Sequence, residues 1–491
     1  MLAAPMVERT ATEPPRKRSL RRIGRSALAC LLAPLLGLVA ATSGCGEKPA
    51  PALRTVALIT IDTLRADYIH SYGFPQATTP ALDRLARKGV LFERAIAAAS
   101  STIPSHASMM TGRYPRQQST GARNGDTRLE GEVTLAERFS EAGWRTGAFV
   151  SNVVLQRRSG LDRGFDHYDQ ELPEGEGRRL SFERRADGAV TAALDWLNRQ
   201  GDSPAFIWVH LQDPHGPYTP PDEWLERVES VDLAADRDLA PGTLDREQGA
   251  IPRYQVLEGV RRASEYARRY AGEIAYTDAA VGRLVGALEA RGPLALLLTS
   301  DHGESLGENG RYLQHGHAST PELARVPMLL LAPGLAADRR GDLVHHIDVA
   351  PTLLDLAELT SLPTPSGLSL APALRSGQAL PDRTLFCDTV GETSAYRLGS
   401  YLRISGFSDS NASRALARAD AGQATALRLH GRAQQSDGSW SQGVDRDALR
   451  ELRAYLRNEV PVVPSSPEPD TLERLRSLGY LADDPPDQPG P

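Results

Sequence analysis

The chain has 491 residues, 41% of them hydrophobic and 24% charged. That supports one large α/β domain with a smaller companion, and it excludes disordered, collagen-like and disulfide-built classes. A formal net charge of −6 gives no basic face of the kind that nucleic-acid binding requires.

The chain opens with a targeting pattern. Arg16, Lys17, Arg18, Arg21, Arg22 and Arg25 form a basic block, the apolar run Ala27–Ala41 follows, and Thr42-Ser43-Gly44-Cys45 closes it. This is the order of a secretory signal, and the run is shorter than the roughly 20 residues that span a bilayer. Residues 1–44 are therefore read as a cleaved lipoprotein-type signal rather than an uncleaved anchor, although Thr42 stands where a lipobox usually has Leu. Cys45 becomes a lipidated N-terminus, residues 45–54 a Pro/Ala-rich tether. The predicted location is exported, membrane-anchored through lipid, facing periplasm or cell surface. Cys30 leaves with the signal, so Cys387 has no partner. In the strand-like run TLFCDTV it reads as a small buried apolar residue.

Val56–Ile61 is a buried strand ending at Asp62. Thr79-Pro80 starts a helix, with Thr79 as cap, Leu82, Leu85 and Ala86 on one face and Gly89 at its end. Thr134 to Glu137 forms a capping box, with Gly143 closing that helix. Arg145–Val150 and Ala205–Leu211 are further strands, and Tyr266–Arg291 is a long amphipathic helix leading into LALLLTS and Asp301. Met328–Leu331 is another strand and Asp348–Leu356 another helix. Strands alternating with helices predict a mostly parallel sheet covered on both faces. Pro173–Arg185 and Glu226–Arg253 are charged and aperiodic, and are read as surface decoration in preference to lids. The expected domains are 55–380 (catalytic) and 381–460 (a small α+β subdomain). A tail follows over 461–491, disordered from Asp483.

Chemistry gathers after the strands. Asp62 ends one strand and Asp301-His302 another, and in open α/β sheets ligands bind beyond the carboxyl ends of strands. Two carboxylates and an imidazole suit a divalent metal. An Asp after a strand is more often a cap or turn residue, but two such sites with TIPSHAS between them favour the metal. Thr102 precedes Pro104 and a helix expected to begin near Ser105, where a helix N-terminus favours negative charge on oxygen. His210, inside an apolar strand, is read as structural. His345 and His346 are open between a second metal and capping with Asp348. Arg65 and Arg113 adjoin motif residues and could hold an anion.

The motifs VALITIDTLRADYIHSYGF, TIPSHASMMTGRYP, LQDPHGPYTPP, TSDHGESLGENG, HGH and HHIDVAPTLLDL, in this order, resemble the sulfatases of the alkaline-phosphatase superfamily over roughly residues 55–374. The resemblance implies an alkaline-phosphatase-like α/β fold and hydrolysis of an anionic sulfate or phosphate ester. It also implies metal ligands Asp62, Thr102, Asp301 and His302, with Thr102 in the nucleophile position. His215 would contact the ester and His317 would stand near the leaving or transferring group, with His315 as competitor. The family pattern C-x-P-S-R here reads T-I-P-S-H, and Thr63 replaces a second metal-binding Asp. Oxidation of Thr102 would give a ketone, not an aldehyde, so formylglycine is not expected. His106, in place of the Arg, either bonds the nucleophile loop or acts as an acid. Direct attack by Thr102 would favour phosphoesters. The nitrogen of His302 favours zinc or manganese, with calcium or magnesium as alternatives. The competing functions are a transferase of phospho-substituted head groups onto envelope glycans or lipids, and a non-catalytic surface binding protein. Oligomeric state has no signature in the sequence.

Overall fold

The computed structural model describes residues 52–125, 127–172, 183–242, 248–407, 412–420, 427–434, 440–458 and 460–465, with single positions 468, 472 and 475. The expected signal, Cys45, most of the tether, residues 173–182 of the first insertion and the tail from Asp483 lie outside the described residues.

The main sheet is built from β1 (Thr55–Ile61), β2 (Val90–Ile96), β3 (Arg145–Phe149), β4 (His167–Asp169), β5 (Ala205–Leu211), β6 (Leu294–Ser300), β7 (Arg325–Leu331) and β8 (Asp338–His345). Their order is β8-β2-β7-β6-β1-β5-β3-β4. Only β7 runs antiparallel to its neighbours, so the sheet is mostly parallel, as its apolar runs predict. The central strands β1, β5 and β6 are buried along their whole length. The edge strand β8 is exposed and charged over Asp338 and Arg339, which discourages edge-to-edge pairing.

Period-two alternation sorts each strand between two cores. Ala57, Ile59 and Ile61 face a cluster with α1 (Pro80–Lys88), α4 (Ala186–Arg199) and α5 (Ala263–Ala290). Val56 and Leu58 face the opposite cluster, with α2 (Thr102–Thr111), α3 (Leu135–Glu141) and α6 (Val349–Leu356). In α5, Tyr266, Tyr270, Ile274, Val281, Leu284 and Leu288 are all buried, at the helical spacing read from sequence.

Local signals were met unevenly. Thr134 and Glu137 form the expected capping box. Thr79 does not cap α1; its hydroxyl accepts from the His70 amide, and Asp278 of α5 accepts from the amides of Ala81 and Leu82 instead. The described part of Glu226–Arg253 is not mere decoration, since Val228, Val231, Leu239 and Ile251 bury in the first core. Past Pro381, β9 (Leu385–Thr389), β10 (Glu392–Arg397), β11 (Ser400–Ser405), β12 (Arg428–Gln434) and β13 (Trp440–Gln442) form an antiparallel sheet in sequential order. Cys387 is buried within β9 and free.

Candidate active site

Register brings the site together. Ile61 lies beside Leu211 on one side and Ser300 on the other. The chain therefore leaves β1, β5 and β6 at one rim, placing Asp62 next to Asp301 across 239 positions of sequence. Thr63 follows at φ 55°, a left-handed conformation that costs a β-branched residue on the order of 1–3 kcal/mol. Tyr270 holds it there: its hydroxyl donates to the Thr63 carbonyl at 2.6 Å and accepts from the Arg65 amide at 2.9 Å.

Three side chains are each satisfied on one atom and bare on another. Asp62 Oδ2 accepts from Asn152 Nδ2 at 3.0 Å and lies 3.4 Å from His210 Nε2. Asp301 Oδ1 accepts from the amides of Thr63 and His302 at 3.1 and 2.8 Å. His302 Nδ1 donates to the Gly303 carbonyl at 3.0 Å. What remains is Asp62 Oδ1, Asp301 Oδ2 and His302 Nε2, buried and without hydrogen-bond partners among the described residues. His302 Nε2 lies 3.5 Å from Asp301 Oδ2 and 3.9 Å from Asp62 Oδ1, and the three groups offer ligand atoms within 4.8 Å of one another. Atoms that each sit about 2 Å from one ion are separated by roughly 3–4 Å. Buried polar atoms left bare are costly, and a divalent cation would satisfy all three together. Burial and the charge of Asp62 push the Asp301 carboxyl up. For Asp62, burial works upward, but the His210 hydrogen bond and the neighbouring histidine charges hold it well below the usual carboxylate range. Two close carboxylates resist sharing a full double charge, and a cation removes that conflict.

Thr102 opens α2, three residues earlier than the sequence suggested. Ser101 supplies no side-chain cap; Asn124 does, its Oδ1 accepting from the Ile103 amide at 2.9 Å. Thr102 Oγ1 is buried with no hydrogen-bond partner among the described residues. The turn before it is pinned by Ser105, whose hydroxyl donates to the Ala99 carbonyl, and by His346, whose Nδ1 accepts from the Ala98 amide.

His106 is committed on both ring nitrogens: Nδ1 lies 2.8 Å from the Thr102 carbonyl and Nε2 3.0 Å from Thr60 Oγ1. Burial lowers its pKa to about 3, so the ring is neutral. Of the two roles that the sequence left open, the geometry shows the bond to the loop that carries Thr102.

His215 stands across the site. Its Nδ1 donates to the Gly216 carbonyl at 2.8 Å and pairs with Glu183 Oε1 at 3.5 Å. Burial alone would lower its pKa, but the Glu183 hydrogen bond and the charges of Asp62, Glu183 and Glu304 outweigh it and raise the value to about 9. Between the two expected histidines of HGH, the structure brings His315 into the array. Its ring centroid lies 4.7 Å from that of His302 and 5.0 Å from that of His215, and Nδ1 meets Glu304 Oε1 at 3.3 Å. Tyr218 donates to the other oxygen of Glu304 at 2.9 Å. His317 makes no such contact in these interactions; its Nδ1 is buried and bare among the described residues, and burial lowers its pKa to about 3.

Other expectations are corrected. Arg65 is not open to an anion: it binds Asp67 through two nitrogens and Glu308 and the Glu304 carbonyl through the third. Arg113 follows the far end of α2, ten residues long, about 15 Å from Thr102 at 1.5 Å per residue. It donates to the Gln117 carbonyl. His345 and His346 are not a second metal pair, because each ring donates to a carbonyl, of Phe386 and Ser300, and accepts from an amide, of Ile347 and Ala98. His345 and Asp348 form the capping box of that turn. His210, read as structural, lies on Asp62. Glu183 and Asn152 were missed. Glu183 lies near the end of the stretch Pro173–Arg185 read as decoration, yet it is buried against His215. For His210 a signal existed: 206, 208 and 210 share the strand face that meets α2.

Mixed, mostly parallel sheet, rim carboxylates and buried histidines define an ester hydrolase of the alkaline-phosphatase superfamily. Within it, the Sulfatase family model matches residues 54–359, and the chain belongs to that family, whose members hydrolyse sulfate or phosphate esters. It is 26% identical over 372 residues to an arylsulfatase of Clostridium perfringens, covering 64% of this chain and 77% of that one. It is 26% identical over 380 residues to human iduronate 2-sulfatase, covering 64% and 68%. Among solved structures it resembles a phosphonate monoester hydrolase of Agrobacterium radiobacter, with a TM-score of 0.60 at 18% identity, covering 87% of this chain and 96% of that one.

Proposed function

We propose that this enzyme hydrolyses phosphate esters in preference to sulfate esters, with Thr102 attacking directly and without formylglycine. The observation that carries the reading is Thr102 Oγ1 itself, a buried hydroxyl with no partner among the described residues, at the head of a buried helix. A hydroxyl in that setting is free to react, and the helix N-terminus favours the negative charge it acquires. Asp62, Asp301 and His302, with Thr102, would hold a divalent cation, and the mixed nitrogen and oxygen donors favour zinc or manganese. When bound, that cation supplies Lewis acidity, easing ionisation of a hydroxyl beside it and stabilising charge on an ester oxygen.

In this reading the Thr102 oxygen forms a bond to phosphorus as the ester bond breaks, its own proton having passed to solvent. His215, protonated at neutral pH and oriented by Gly216 and Glu183, gives its proton to the departing oxygen. Water then cleaves the Thr102 phosphoester, and His215 recovers a proton from it. His315, paired with Glu304, which Tyr218 also holds, stands beside His302.

The test is a panel of aryl sulfates, phosphate monoesters and diesters assayed with several divalent metals. Phosphoesters should turn over faster. Thr102→Ala should lose at least about 100-fold in kcat while keeping its fold, and Thr102→Ser should keep part of the rate. Intact-mass analysis of a rapidly quenched reaction should find a phosphoryl adduct that Thr102→Ala lacks. Sulfate turnover far above phosphate turnover would reverse the preference. Export on a Cys45 lipid belongs to the same reading: Cys45→Ser should release the protein from membranes.

A further inference from the structure

The side chains around Thr102 form a directed hydrogen-bond chain that crosses from the sheet into α2. Trp208 Nε1 lies 3.0 Å from Thr60 Oγ1, Thr60 Oγ1 lies 3.0 Å from His106 Nε2, and His106 Nδ1 lies 2.8 Å from the Thr102 carbonyl. Trp208, Thr60, His106 and Thr102 are all fully buried. The two ends of the chain fix its direction. An indole N–H can only donate, and a carbonyl can only accept. Thr60 therefore receives the indole hydrogen and spends its own on His106 Nε2, which must be the bare nitrogen. The imidazole hydrogen is then on Nδ1, where it meets the Thr102 carbonyl. No other arrangement satisfies every member, and a partly satisfied buried chain is costly.

We infer that Trp208, Thr60 and His106 are positioning residues that hold the backbone of Thr102, and through it the attacking hydroxyl, against the floor of the sheet. This deepens the proposed role of Thr102 and rests on it. The geometry explains the need. Thr102 is the first residue of its helix, where Asn124 caps the Ile103 amide from outside but Ser101 provides no side-chain cap. Helix ends fray unless tied, and Thr60 sits at the end of β1, two residues before Asp62. The chain thus references the nucleophile to the same strand end that carries Asp62. His106 does this as an uncharged ring, so it adds no cation to a site that already holds His215. Both of its nitrogens are used, which leaves it no proton to transfer.

The experiment is a double-mutant cycle on the full-length enzyme. Thr60→Val is nearly isosteric and breaks the chain at its middle link. With Thr102 present, it should lower kcat roughly 10- to 100-fold with little change in KM, since small misplacements of a reacting group have that effect. Thr60→Ser, which restores the hydroxyl, should recover most of the lost rate. Affinity for orthovanadate, measured by calorimetry on both backgrounds, closes the cycle: Thr60→Val should weaken binding when Thr102 is present and change nothing in Thr102→Ala. Circular dichroism and melting temperature verify the fold of each variant. Wild-type kcat in Thr60→Val would overturn the inference, and so would equal losses of vanadate affinity in both backgrounds, which mark a general structural effect. Full activity in Thr102→Ala would instead remove the nucleophile reading, a distinct result that takes the positioning role with it.

Discussion

At the scale of single residues, the site is organised by what each group has already spent. Asp62 has two oxygens, and Asn152 and His210 hold the same one, leaving Oδ1 bare. Asn152 is itself oriented, because its Oδ1 accepts from the Val154 amide at 3.0 Å, which turns Nδ2 toward Asp62. Groups that orient a metal ligand typically contribute about 10- to 100-fold in affinity. Asn152→Ala should therefore lower the affinity of the metal-stripped protein for zinc by that factor, read by calorimetric titration with zinc alone. His302→Ala should reduce the metal content of purified protein to background. Zinc affinity unchanged in Asn152→Ala would show that Asp62 is aimed without it.

Elements show why some of this was legible in the sequence and some was not. Local signals carry far: the apolar runs of β1, β5 and β6 end at the rim, and Thr134 with Glu137 caps α3 as read. The rim residues Asp62, Asp301 and His302 were visible because each directly follows such a run. Asn152 and Glu183 were hidden, since their partners are distant in sequence and none of their own neighbours marks them, whereas His210 shares its strand face with Phe206 and Trp208. The cap of α1 was hidden for the same reason, being supplied by Asp278 from 197 and 196 positions away. That cap carries a pH dependence. Burial raises Asp278 from the usual 3.8 to about 7, against the pull of the two amides. A carboxyl with a raised folded pKa binds its proton more tightly in the native state, so the stability that Asp278 contributes is fully present below about pH 4 and is lost as pH rises toward 7. The difference in melting temperature between wild type and Asp278→Asn should shift against the wild type across that window. A difference that stays flat from pH 4 to 7 would mean that Asp278 ionises normally in the fold.

For the whole molecule, the antiparallel sheet after Pro381 is joined to the site rather than hung beside it. The Asp388 amide donates to the Ala98 carbonyl at 2.8 Å, and the Ser100 amide donates to the Asp388 carbonyl at 3.1 Å. Strand β9 thus pairs with the segment immediately before Ser101 and Thr102. The same sheet grips the other side of the site: Thr389 donates to the Gly316 carbonyl, Tyr396 to the Ser319 carbonyl, and Glu392 accepts from Ser319. Gly316 and Ser319 bracket His317, and Gly316 adjoins His315. Holding β9 in place is a buried knot around the Asp388 carboxylate, which accepts from Arg116, Thr393 and Tyr455. Tyr455 also stacks on Phe386 with ring centroids 4.3 Å apart. Leaving a buried donor without its acceptor costs about 1–3 kcal/mol. Asp388→Ala takes the carboxylate away from Thr393 and Tyr455, both buried, and from Arg116 as well. It should lower the melting temperature by several degrees and, by loosening the Ala98–Ser100 segment, lower kcat as well, measured well below the melting point. Arg397→Ala provides the contrast on the same sheet. It breaks a pair with Asp382, a carboxylate 57% exposed, and solvent-exposed pairs contribute about 0–1 kcal/mol, so kcat should hold. If Asp388→Ala melts earlier yet keeps full kcat, the sheet stabilises the fold without holding the turn before Thr102.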